Sequence, residues 1–204
     1  MIHCLTESDL HEMVEAFAAA LDAKHSYTRG HSERVADIAS RIAAQMNLSK
    51  EEQEWIHIAG HLHDIGKIGI PDHILLKPGK LTTDEYNVIK QHPQIGYEIL
   101  GKVKLLQPII EMVRYHHERW DGLGYPLGIA KENIPLGARI IAVADSFDAM
   151  SSSRSYRSQL SYERAISEIK QFRGSQFDPD VVDAFFDVVF KEMWNSQEKA
   201  VAVV

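Results

Sequence analysis

The sequence predicts an all-α protein, a single helical bundle that carries one long loop, on three observations. Apolar residues recur at helical spacing through much of the chain, and residue pairs that open helices stand at several of its breaks. The short apolar stretches, such as Ile68 to Ile70, do not alternate over enough residues to make strands. At 204 residues the chain has room for one well-buried domain, or at most two small ones. No repeat, low-complexity stretch or Gly/Ser/Pro-rich linker divides it.

Within residues 1–21, Leu10, Met13, Val14, Phe17 and Leu21 give a first helix an apolar face, expected to pack on the bundle or extend it. The bundle proper is expected over 22–195. Val35, Ile38, Ala39, Ile42 and Met46 supply the face of the next helix. Ser49 with Glu52, and Thr82 with Glu85, read as capping boxes, in which each side chain satisfies the other residue's backbone N–H. From Glu118 to Leu136 the chain reads as a long irregular loop between two helices, a length that is usually functional or disordered in a compact domain. Asp178-Pro179 resembles an N-cap followed by proline at the first helical position, with Val181, Val182, Phe185, Val189 and Phe190 as the apolar face. Residues 196–204 form a tail that carries no signal.

The composition is that of an ordinary globular protein. No apolar run reaches the length of a membrane span, and the start lacks the basic-then-apolar pattern of a secretory signal. Cys4 is the lone cysteine and cannot form an internal disulfide, so a reducing cytoplasm is the expected setting. The net charge of -7 argues against broad binding of a nucleic acid polymer. An acidic chain that handles phosphate must concentrate positive charge locally, and metal ions are the most compact way to do so. The 11 histidines, many for this length, point the same way.

Metal-ligating chemistry gathers at His31, the pair His63-Asp64, His92, the pair His116-His117, and Asp145. Facing helices of a bundle can each project one or two such ligands inward. Adjacent residues on a helix point about 100° apart, so one can approach one ion while its neighbour reaches between two. Asp64 is the natural bridge, because a carboxylate has two oxygens. His31, His63, Asp64 and Asp145 would hold one ion, and Asp64, His92, His116 and His117 the other. Four protein ligands each would leave room for a shared hydroxide and a phosphate oxygen. His3, His11, His25 and His73 read as surface or core residues. His57 and His61 have a four-residue spacing that also suits zinc, but they read as bystanders, since His61 and His63 point to different sides of a helix.

The run His63-Asp64-Ile65-Gly66-Lys67, continued by Ile70-Pro71-Asp72, resembles the HD-GYP family. The second half of that signature is His116-His117-Glu118-Arg119-Trp120-Asp121-Gly122-Leu123-Gly124-Tyr125-Pro126. Lys77 to Thr82, His92-Pro93, Ile134 to Leu136, Ala142 to Asp148 and Phe177 to Pro179 match as well, so the resemblance covers nearly the whole chain. It implies an HD-type helical bundle whose long loop contains the Gly-Tyr-Pro motif. It also implies hydrolysis of cyclic di-GMP to pGpG or GMP, or of a hybrid cyclic GMP-AMP. The same seven residues are implied as ligands of two divalent ions, iron or manganese by family, with nickel and zinc also compatible with the donors. Substrate contacts are implied at Lys67, Tyr125, Asp148, Arg154 and Arg157, with Asp64 and Lys67 central to catalysis. A diguanylate cyclase is an expected partner through the Gly-Tyr-Pro loop.

The chain departs from the family at two places. Tyr27 stands where some members place a glutamate for a third ion, and Ser155 stands where many have proline between the two arginines. The rival expectations are a broader HD phosphohydrolase and a cyclic-dinucleotide sensor without turnover.

Overall fold

A computed structural model of the chain describes residues 6–24, 30–152 and 161–201. Helix α1 (Glu7–Lys24) is followed by α2 (His31–Gln45) and α3 (Lys50–Leu62), and a 3-10 turn over Ile65–Gly69 leads to the short α4 (Asp72–Leu75). Next come α5 (Thr83–Ile89), α6 (His92–Leu100) and α7 (Ile110–Tyr115), then the loop, α8 (Leu136–Ser151), α9 (Tyr162–Gln171) and α10 (Pro179–Val201). Among the described residues there is no strand, only an isolated bridge between Arg173 and Phe177.

Helix α2 packs on α3 and α8 at the centre, α10 covers α2 and α8, and α7 joins α6 to α8. The core is continuous from Val35, Ala39 and Ile42 of α2 through Ile58 and Leu62 of α3 to Ile140, Ile141 and Ala144 of α8, and on to Val181 and Phe185 of α10. Among the described residues, no helix is long and apolar enough to cross a membrane.

Both capping boxes form: Ser49 accepts from Glu52 N while Glu52 accepts from Ser49 N, and Thr82 and Glu85 do the same. Asp178 Oδ1 accepts from Asp180 N at 2.8 Å at the head of α10. Two apolar faces are narrower than their spacing suggests. On α1, Val14, Ala18 and Leu21 are buried, whereas Met13 and Phe17 lie outside the contact with the bundle and are exposed. On α10, Phe190 is 69% exposed although Val189 beside it is buried. The expected loop runs over 118–135, broken by one 3-10 turn at Lys131–Asn133, and Leu136 already opens α8.

Candidate metal centre

Helix ends aim most of the candidate ligands at one another. His31 opens α2 and His92 opens α6, while His63-Asp64 follow the last residue of α3 and His116-His117 follow α7; Asp145 alone lies inside a helix, α8. The 3-10 turn after Asp64 must pass very close to the head of α6. A Cβ at Gly66 would stand 1.9 Å from the His92 carbonyl oxygen, so only glycine lets Asp64 and His92 approach.

The side chains form two groups that could each hold a metal ion, His31, His63 and Asp145 in one and Asp64, His92, His116 and His117 in the other. Within each group the donor atoms lie within 4.8 Å of one another. Asp64 reaches both. Its Oδ2 lies 3.4 Å from His63 Nε2 and 3.8 Å from His31 Nε2, and its Oδ1 lies 3.3 Å from His92 Nε2. His31 Nε2 is 3.3 Å from Asp145 Oδ1, and His92 Nε2 is 3.4 Å from His116 Nε2. Donors bound at about 2.0–2.2 Å to one ion stand roughly 3.0–3.5 Å apart, so all of these spacings but that of Asp64 to His31 fall in the range.

The nitrogens are also presented in the right form. His63, His92 and His116 each donate Nδ1–H to the carbonyl three residues back, those of Gly60, Ile89 and Val113, at 2.7, 2.8 and 2.7 Å. A carbonyl only accepts, so each Nε2 is left bare and facing the centre. His63 Nε2 is buried and has no hydrogen-bond partner, an orphaned lone pair that a cation would satisfy. Residues and metal therefore fit.

Electrostatics point the same way in the second group. Burial pushes His92 down to about 3, His117 to about 4 and His116 well below its ordinary value. All three are neutral imidazoles at pH 7, the form that ligates metal. Burial opposes charge on Asp64 and Asp145, but Lys67 and His63 hold Asp64 well below the carboxylate range, and His31 and His63 do so for Asp145. His31, without an ion beside it, rises to about 9: burial works against this, and hydrogen bonds to Asp145 and Asp148 with the charges of Asp145 and Asp64 outweigh it.

Of the expected substrate-contacting residues, Lys67 stands at the centre, with Nζ 2.5 Å from Asp64 Oδ2. The Tyr125 ring lies 4.9 Å from that of His117, at the rim of the second group. Arg154 and Arg157 lie outside the described residues, as does Tyr27. Asp148 sits beside His31. It is buried, with His31, Arg34 and Ser152 on its carboxylate, so it stands behind a candidate ligand rather than at an open face.

Two contributors were not singled out from sequence. Arg34 holds Asp148, and their signal is a spacing: Arg34 lies one helical turn past His31, and Asp148 one turn past Asp145. Glu118 is buried, and its Oε1 accepts from Leu127 N at 2.6 Å and Gly128 N at 3.0 Å, tying the loop to the end of α7. The tie brings loop backbone onto backbone: a Cβ on Gly124 would stand 2.4 Å from Arg119 N and 2.6 Å from Glu118 Cα.

A family model described as HD domain matches residues 15–181. The chain belongs to the HD-domain family, in its HD-GYP branch. Over 181 residues it is 45% identical to a cyclic di-GMP phosphodiesterase of Thermotoga maritima, covering 88% of this chain and 49% of that one. It is 46% identical over 175 residues to a cyclic di-GMP phosphodiesterase response regulator of Xanthomonas campestris pv. campestris, covering 85% of this chain and 46% of that one. The HD-GYP chain thus spans about half the length of these curated relatives. Its fold matches the crystal structure of a cyclic GMP-AMP specific phosphodiesterase of Vibrio cholerae at a TM-score of 0.59 and 34% identity, covering 91% of this chain and 42% of that one.

Proposed function

We propose that this HD-GYP chain hydrolyses a cyclic dinucleotide, cyclic di-GMP in the first instance, at the His/Asp centre. The observation that carries the reading is Asp64, whose two oxygens face two separate donor groups while Lys67 leans on the same carboxylate. The names of its relatives supply the substrate class. His31, His63, Asp64 and Asp145 would hold one divalent ion, and Asp64, His92, His116 and His117 a second. Imidazole and carboxylate donors suit iron or manganese, and also nickel or zinc. When bound, such ions make water more acidic and polarise a phosphoryl group.

The chain's own residues do the rest. Lys67, part-buried beside Asp64, brings an ammonium against the phosphate, where charge develops as phosphorus is attacked. Tyr125, at the rim, orients the nucleotide over His117. Asp148 and Arg34 keep His31 aimed. A water oxygen bonds to phosphorus as the bond to a ribose 3′ oxygen breaks and that oxygen gains a proton. The first product is linear pGpG, and a second cut yields GMP. Leu123 and Leu127, both exposed on the Gly-Tyr-Pro loop, are the contacts through which a diguanylate cyclase would dock.

The test is metal analysis of anaerobically purified protein, with cyclic di-GMP and cyclic GMP-AMP followed by chromatography in the same preparation. About two iron or manganese ions per chain and the appearance of pGpG or GMP support the reading. A loaded centre that leaves cyclic di-GMP intact but cuts cyclic GMP-AMP moves the substrate to the hybrid dinucleotide. Tight nucleotide binding with neither one cut overturns hydrolysis in favour of sensing.

A further inference from the structure

An acid beside two candidate ligands does not join them. Glu118 follows His116-His117 directly and is 4% exposed, yet it belongs to neither donor group. A buried carboxylate is costly unless hydrogen bonds replace its water, so its partners show what holds it there. Oε1 accepts from Leu127 N at 2.6 Å and from Gly128 N at 3.0 Å, while Oε2 is buried with no hydrogen-bond partner among the described residues. The carboxylate therefore faces the backbone of the Gly-Tyr-Pro loop, not the candidate centre.

The stem of that loop is fixed by other means. Trp120 N donates to Gln176 O at 3.0 Å and Asp121 N to Ser175 O at 2.9 Å. Beyond the stem the chain turns back on itself at Gly122 and Gly128, both at positive φ, where a Cβ on Gly122 would stand 3.4 Å from the Gly128 carbonyl oxygen. Tyr125 lies halfway along the chain between these glycines. Its own main-chain tie runs from Tyr125 N to His117 O at 3.2 Å, and its ring lies 4.9 Å from that of His117. Two bonds of 2.6 and 3.0 Å at the neck against one of 3.2 Å at the tip make Glu118 the stronger tie. Two neighbouring residues thus grip the loop, His117 by its carbonyl and Glu118 by its side chain.

We propose that Glu118 is the positioning residue of the Gly-Tyr-Pro loop: its carboxylate keeps Tyr125 over His117 and so sets how tightly the dinucleotide is bound. The inference rests on the function proposed above, in which Tyr125 orients the nucleotide.

Glu118→Gln and Glu118→Leu are made alone and together with Tyr125→Ala. On each folded, metal-loaded chain KM and kcat for cyclic di-GMP, metal content and hydrogen exchange of the loop amides are measured. Glutamine keeps an oxygen for both N–H groups and sets its nitrogen where Oε2 accepts nothing, so Glu118→Gln should hold KM within about threefold. Glu118→Leu should raise KM about tenfold or more, with kcat changed by less than about threefold and metal content unaltered, the pattern of lost binding. In the Tyr125→Ala background the same change should raise KM by less than about twofold, because Glu118 acts through Tyr125. An equal KM penalty with and without Tyr125 overturns the proposal, as does loss of metal from Glu118→Leu. Glu118→Asp, its carboxylate drawn back by one methylene, serves if Glu118→Leu does not fold, and an unchanged KM there overturns the proposal too. If the unaltered chain neither binds nor cuts a cyclic dinucleotide, the proposed function fails and the loop alone decides for Glu118. Faster exchange of the 122–128 amides in Glu118→Leu but not in Glu118→Gln then supports the tie, and equal exchange in both overturns it.

Discussion

Asp148 Oδ2 takes the Nδ1 hydrogen of His31 at 2.6 Å, and Arg34 grips the same carboxylate, Nε to Oδ1 at 2.5 Å and Nη2 to Oδ2 at 3.1 Å. Burial opposes a charge on Asp148, but the hydrogen bonds from His31 and Arg34 bring it down to about 2, so it is ionised at every working pH. A carboxylate behind a ligating histidine fixes its tautomer and raises its basicity.

Asp148→Asn should therefore weaken metal binding at the His31 group by about 10–100-fold. Metal titration checks this. A variant with full metal content and only a raised KM would return Asp148 to the substrate-contacting part implied by the family resemblance.

Asp64→Ala should remove metal from both groups at once and abolish turnover, because its two oxygens serve His63 and His92 separately. Metal analysis is the measurement. Loss confined to one ion would show that Asp64 does not bridge.

Lys67→Met should lower kcat by about 100-fold or more while metal content stays at the level of the unaltered chain, the pattern of a lost charge stabiliser. Steady-state rates beside metal analysis test it, and a fully active variant contradicts the part given to Lys67.

Without metal, stability should peak near neutral pH. His92 and His117 have folded values near 3 and 4, below the ordinary 6.5, so the unfolded chain binds protons first and stability falls as pH drops below about 6.5. His31 has the opposite sign. Its folded value near 9 gives stability that is full below about 6.5 and lost as pH rises through 9. Urea midpoints of chelator-treated protein at acid, neutral and alkaline pH read both flanks, and a flat profile would count against both.

Gly124→Ala should cost about 1–3 kcal/mol, because its Cβ would meet the backbone of Glu118 and Arg119. Thermal melting measures the loss. Since Tyr125 follows directly, the variant should also show a raised KM for the nucleotide.

Much of this was legible in the sequence because helical periodicity and helix-opening pairs are local. Ser49-Glu52 and Thr82-Glu85 form as their spacing predicts. The candidate ligands stood out because adjacent pairs such as His63-Asp64 and His116-His117 constrain direction even without a fold. The misjudged apolar residues, Met13, Phe17 and Phe190, sit at the margins of helical stripes, and periodicity cannot say where a neighbouring helix stops covering them. Glu118 and Asp148 were harder still. Their partners are backbone N–H groups nine and ten residues on, and a side chain 117 positions away, and only the folded chain brings these together.

The hydrogen bonds of His63, His92 and His116 to the carbonyls of Gly60, Ile89 and Val113 bear on how this site can change over evolutionary time. A main-chain carbonyl is present whatever residue occupies the position, so substitutions at those three sites leave an acceptor in place. The aim of these three candidate ligands is inherited with the helix ends. His31 differs, because what steadies it is a side chain, and a single codon can take that side chain away. Drift can thus loosen one candidate ligand of one group while three others keep their bearing, which would make position 148 the natural dial for tuning how firmly that group held an ion.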